Sequence, residues 1–98
     1  MALRVSGKNL DIGSSLRNYV GTRLDSMITK YSALPSDGHV TVEREGSGFR
    51  TDCSLQLDSG IILRVEADAA DVYASFNKAA ERIENRLRRL KRRVRAHH

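Results

Sequence analysis

Lys78, Arg82, Arg86, Arg89 and Arg93 recur at steps of three and four, a spacing that gathers side chains on one side of a helix. With Lys78 at zero and about 100° per residue, all five fall within roughly 0–80°. Glu81 and Glu84 lie away from them, near roughly 300° and 240°, where Glu84 can pair with Arg88 at i+4. The stripe itself is left without internal partners. Like charges in a row repel one another until an anion arrives, and arginine forks match phosphate oxygens. Lys91, Arg92 and Arg95 continue the positive charge around the last turns. Lys78, Arg82, Arg86, Arg89, Lys91 and Arg93 are therefore read as candidate contacts to a nucleic-acid backbone. The blander account, cations that complement a helix C-terminus, needs only one or two of the nine present.

The charge balance points the same way. Residues 1–71 hold 8 Lys/Arg against 10 Asp/Glu, and residues 72–98 hold 9 against 2, so the net charge of +5 comes entirely from the C-terminal segment. Such asymmetry implies a polyanionic partner, whereas dispersed charge serves only solubility. A smaller set, Tyr19, Arg23 and Lys30, shares one flank of an earlier helical segment, with Arg17 on the opposite flank. Arg23 and Lys30 join the candidate list, although ordinary surface polarity explains them equally well taken alone.

Other chemistries find no nominee. His39 stands on a strand pattern without a partner at readable spacing, and His97 and His98 lie at the chain end. Gly46-Ser47-Gly48 is followed by neither a lysine nor a helix, so it is no phosphate loop. Asp52, Asp58, Glu66 and Asp68 lack the spacing of a calcium loop or an acid/base pair. Cys53 is the only cysteine, which excludes an intramolecular disulfide and a cysteine metal cluster. The expectation is a protein without enzymatic activity, metal or cofactor. The longest apolar stretch, Ile61-Ile62-Leu63, is far below the roughly 20 residues of a membrane span, and no signal segment opens the chain, so a cytoplasmic location without membrane contact is expected.

The elements that must carry these residues follow from period. Ninety-eight residues suit one domain, 1–98. Residues 2–7 alternate as a first strand. Leu16, Val20, Leu24, Met27, Tyr31 and Leu34 recur helically, with Ile28 widening the stripe, from a cap at Gly13 or Ser14 to a stop at Pro35-Ser36-Asp37-Gly38. Gly21 inside this helix costs about 1 kcal/mol against alanine, which suggests that packing or a close approach keeps it small. Val40 and Val42, then Thr51, Cys53, Leu55 and Leu57, then Ile61, Leu63, Val65 and Ala67 alternate with polar neighbours, predicting an antiparallel three-strand meander with one apolar face. Asp71 is a fitting N-cap for a last helix whose core side is Val72, Phe76, Ala79, Ile83, Leu87, Leu90 and Val94. The order β-α-β-β-β-α predicts an α+β two-layer sandwich, a four-stranded sheet with both helices on one face and the first strand parallel to the second.

Arg4-Val5-Ser6-Gly7-Lys8-Asn9-Leu10-Asp11-Ile12, followed by Leu16-Arg17-Asn18-Tyr19-Val20, resembles the opening of the ribosome hibernation promoting factor / ribosome-associated inhibitor family. Asp71-Val72-Tyr73-Ala74-Ser75-Phe76 is similar to that family's Asp-Met-Tyr-Ala-Ala-Ile signature at the start of its second helix. Gly13 stands where the family carries a threonine cap, and Phe76 and Ala79 replace aliphatic residues. The resemblance implies a bacterial protein of resting or stressed cells that occupies the decoding region of the small ribosomal subunit, overlapping the places of messenger and transfer RNA. It assigns Arg82 and Arg89 as the foremost contacts to ribosomal RNA, makes Arg23 and Lys30 similar to family basic positions, and leaves Lys78 and Arg86 resting on the helical stripe. Tyr73 is expected to pack. Long members of the family pair ribosomes into dimers through a further C-terminal domain, so ribosome dimerisation follows if this chain is part of a longer protein. Two other readings stay open: a general double-stranded-RNA module, and a protein-interaction module in which Ile83, Leu87, Leu90 and Val94 zip against a partner helix.

Overall fold

Alternating residues must face opposite sides of a strand, and in this chain the apolar set of every strand ends on one side of one sheet. The computed structural model describes residues 2–33 and 35–96, with side-chain surroundings for residues 3–33 and 35–91. Its elements are β1 (Ala2–Lys8), α1 (Ser14–Lys30), β2 (Pro35–Glu45), β3 (Gly48–Leu57), β4 (Ile62–Ala69) and α2 (Val72–Ala96). The sheet order is β1-β2-β3-β4, with β1 parallel to β2 and the other pairs antiparallel. Val40, Val42, Thr51, Cys53, Leu55, Leu63 and Ala67 are buried on the inner face, and His39, Thr41, Asp52 and Ser54 alternate to the outer one. Both helices cover that inner face. Leu16, Val20, Leu24 and Met27 of α1 and Phe76, Ala79, Ala80, Ile83 and Leu87 of α2 join one continuous core. The expected β-α-β-β-β-α sandwich is the observed one.

Boundaries differ in two places. The apolar period suggests a first helix reaching Leu34, yet α1 ends at Lys30. Ser32 adopts the left-handed conformation at φ 51°, and its N–H donates to Thr29 O at 3.2 Å while Ala33 N–H donates to Ile28 O at 3.0 Å. That pair of bonds is the Schellman closure, here built without glycine. Leu34 lies outside the described residues. The segment expected to be a turn, Pro35–Gly38, is instead the start of β2, because β1 and β3 flank it and supply ladder partners on both sides, Ala2 and Leu3 on one and Leu55 to Leu57 on the other. Proline is tolerated at a strand's first residue, where its missing N–H costs least.

Asp71 caps α2 as expected, its Oδ1 accepting from Ala74 N–H at 2.9 Å. The first helix is capped by Gly13 without a side-chain bond. Gly7 has a stricter reason to be glycine: a methyl there would collide with the backbone oxygen of Leu10 in the turn leaving β1. Gly21 does not. A methyl group on it would meet nothing within 4 Å, so the packing reason suggested by the sequence is absent. Gly21→Ala should raise stability by about 0.5–1 kcal/mol by removing backbone freedom from the unfolded chain; urea unfolding measures it, and a loss of stability would contradict the geometry.

Cys53 is buried between sheet and helices, and burial pushes its thiol up to about 12, so it stays protonated at neutral pH. Beside it in the core is a polar pair that apolar patterning does not reveal: Thr51 Oγ1 and Ser75 Oγ lie 2.7 Å apart, and Ser75 also donates to Val72 O at 2.8 Å. Both hydroxyls are thereby satisfied, which burial demands. No helix of the described residues is long and apolar enough to cross a membrane.

Candidate nucleic-acid interface

The core side of α2 fixes where its cations point. With Phe76, Ala79, Ile83 and Leu87 buried, Lys78, Arg82, Arg86 and Arg89 are exposed along the flank that overhangs β4, the last strand of the sheet. Two of them have partners, contrary to the expectation that the stripe is internally unpaired. Lys78 Nζ donates to Asp68 O at 3.2 Å, and Arg82 Nη1 donates to Glu66 O. Both acceptors are backbone carbonyls of β4, which pairs with β3 on its other side, so the cations reach groups that no neighbouring strand occupies. Arg86 and Arg89 make no ion pair or hydrogen bond among the described residues. The side chain of Arg93, like that of Val94, lies outside the described residues.

Between this flank and the outer sheet face runs an open groove of about 990 Å³. One wall is Arg82, Asn85, Arg86 and Arg89 of α2, a wall without an acid. Lys8 and Arg64 add cations from β1 and β4, while Glu43, Asp52 and Glu66 stand on the sheet side. Lys8 and Arg64 were not read as site residues from the sequence. Nothing local marks them; only the sheet order, which sets β4 beneath α2, brings Arg64 to this groove.

The remaining candidates gather on the opposite flank of α2, where it meets α1. Arg23 Nη2 lies 3.7 Å from Glu84 Oε1, and Lys30 Nζ lies 3.1 Å from Glu84 Oε2. Arg88 Nη2 completes the set at 3.7 Å, the i,i+4 pair the sequence suggests. Tyr31 Oη donates to the same carboxylate at 2.8 Å. These donors, led by the Tyr31 hydroxyl and the Lys30 ammonium, hold Glu84 below its ordinary carboxylate range, while Glu84 raises Lys30. Lys91 Nζ donates to Lys30 O at 3.4 Å, an end-of-helix carbonyl that has lost its intrahelical partner. The structure thus divides the candidate residues into two basic surfaces on either side of α2. Arg88 belongs to the second of them, a position assigned beforehand only as a partner of Glu84. Arg17, on the other flank of α1, donates its guanidinium to Val5 O at 2.6 Å and ties α1 to β1.

Tyr73 is less enclosed than expected. Its ring meets Tyr19 edge-on at 5.1 Å and remains 41% exposed. Tyr19 in turn lies edge-on to Phe76 at 5.9 Å and donates to Asn77 Oδ1 at 2.8 Å. The zipper alternative loses its residues: Ile83 and Leu87 are buried under the sheet and Leu90 packs against the same core, so none of the three is free for a partner helix. No group of three or more His, Cys, Asp or Glu positioned to hold a metal occurs among the described residues.

Residues 3–95 match the family described as Sigma 54 modulation protein / S30EA ribosomal protein. The chain is 44% identical over 98 residues to a Rhizobium meliloti (strain 1021) protein named ribosome hibernation promotion factor, covering 100% of this chain and 52% of that one. A protein of the same name from Bradyrhizobium diazoefficiens is 46% identical over 94 residues, covering 96% and 46%. The chain therefore spans about half the length of these curated relatives. Among solved structures, the N-terminal domain of Thermus thermophilus Protein Y superposes with a TM-score of 0.81 at 27% identity, over 92% of this chain and 99% of that domain.

Proposed function

The chain belongs to the Sigma 54 modulation protein / S30EA ribosomal protein family, and from that premise we propose that it is a ribosome-binding hibernation factor, active without catalysis. It holds RNA of the small subunit through the cations of α2 and α1 and lies in the decoding region, where it excludes messenger and transfer RNA. A cytoplasmic location accompanies that role. The observation that carries the reading is the acid-free wall of Arg82, Asn85, Arg86 and Arg89. Two of its arginines have no partner among the described residues, so an incoming phosphate need not displace an existing ion pair to reach them. The names of the relatives supply the ribosome; the wall supplies a means of holding its RNA.

The test is co-sedimentation with separated ribosomal subunits over graded salt. Binding to the small subunit should weaken with a slope of log affinity against log salt of about −0.7 to −0.9 per phosphate contacted, so four contacts give roughly −3. Unrelated RNA duplex added as competitor should not displace the protein at equal mass. A flat salt response overturns the phosphate mechanism, and ready displacement by the duplex would favour a general double-stranded-RNA module instead.

A further inference from the structure

Glu84 is the one acid on the exposed side of α2 that is drawn inward, only 16% exposed at its side chain, while Arg23, Lys30 and Arg88 around it are 38%, 62% and 44% exposed. Three cations therefore stand outside one carboxylate and leave an excess of two positive charges at the seam of the helices. Their positions are constrained. Lys30 and Arg88 approach the same oxygen, Glu84 Oε2. Arg88 is also fixed by bonds to Asn85 Oδ1 at 2.9 Å and to the Tyr31 hydroxyl at 3.3 Å, and Lys30 lies 5.3 Å from the centre of the Tyr31 ring. Long basic side chains ordinarily lose rotamer freedom when they meet a ligand. Here that ordering is already supplied by Glu84 and Tyr31.

We propose that Glu84 is the positioning residue of the seam between α1 and α2, ordering Arg23, Lys30 and Arg88 to receive a backbone phosphate of RNA. The inference rests on the ribosome reading above and adds to it the group that sets these cations in place. Glu84 stays ionised at neutral pH, its carboxylate stabilised by the donors around it. Lys30 carries three donors and each arginine five, more than Glu84, Tyr31 and Asn85 engage, so donors remain for a second anion. A carboxylate inside an RNA-binding surface would simply oppose binding if it acted through its charge alone. Positioning predicts the reverse.

That difference of sign is the test. Small-subunit pelleting at pH 7 over graded salt, well below the melting temperature of each variant, compares the wild-type chain with Glu84→Gln, Glu84→Asp and Arg88→Ala. Glu84→Gln adds one net positive charge, yet its binding should weaken roughly five- to tenfold with a salt slope shallower by about one or two, as contacts are lost. Glu84→Asp keeps the charge and should recover part of the affinity. Arg88→Ala leaves the carboxylate in place and should lower the slope by about one. Binding of Glu84→Gln equal to or tighter than wild type overturns the proposal while leaving the ribosome reading intact. So does undiminished binding of Arg88→Ala, which decides the matter even if Glu84→Gln fails to fold. Failure of the wild-type chain to bind overturns the ribosome reading and this site with it.

Discussion

Replacing Arg82, Arg86 and Arg89 together by glutamate should lower affinity for the small ribosomal subunit by at least about a hundredfold at moderate salt, because three phosphate partners are lost and three repulsions are added. The fold should survive. All three side chains are exposed, while the core side of the same helix is carried by Phe76, Ala79, Ala80, Ile83 and Leu87. Exposed substitutions away from caps and buried networks shift stability by less than about 0.5 kcal/mol each. Arg82 gives up its bond to Glu66 O, a cost of about 1 kcal/mol at most for an exposed pair, and relief of like-charge crowding offsets part of it. Pelleting and thermal unfolding on the same preparation separate the two effects. A triple variant that still pelleted with the small subunit would remove the β4-side groove from consideration and shift the weight of binding to the seam of Arg23, Lys30 and Arg88.

The complementary substitution is Phe76→Ala. Among the described residues Phe76 is the largest fully buried side chain, and it joins the α1 and sheet residues in one core. Its truncation should cost about 3–5 kcal/mol through lost burial and the cavity left behind. Small domains hold about 5–15 kcal/mol in all, and each kcal/mol moves the melting temperature of a chain this size by about 4–8 °C. A large drop in melting temperature is therefore expected by circular dichroism, with the molecules that remain folded still binding ribosomes. A loss below about 1 kcal/mol would mean that the packing around Phe76 is not what holds α2 to the sheet.

Periods of two and of three to four made every element legible, since inner and outer strand faces and the buried side of each helix are dictated by geometry that the order of residues carries. Where the sequence reading failed, the cause lay in a backbone conformation or a distant partner that the period of side chains does not carry. The end of α1 depended on Ser32 accepting a left-handed conformation, and the first residues of β2 on strands supplied from both sides. Ser75 and Ala80 are buried beside the apolar stripe because the sheet covers more of α2 than the period suggests, and the Ser75 hydroxyl finds Thr51 on β3. The cations of the candidate site were legible as residues but not as partners. Glu84 meets Lys30 across 54 positions and Arg82 meets Glu66 across 16, distances in sequence over which only the packed fold selects a neighbour.

The bonds from Lys78 and Arg82 to β4 bear on the open edge of the sheet. An outermost strand presents unpaired carbonyls and amides that a strand of another molecule can extend, the first step of edge-to-edge association, and cationic side chains are among the devices that blunt it. The Asp68 and Glu66 carbonyls are occupied in that way. A second copy of the chain approaching along β4 meets two engaged acceptors and a row of like charge. The flank of α2 that overhangs the outer strand thus blunts two of the acceptors along its open edge.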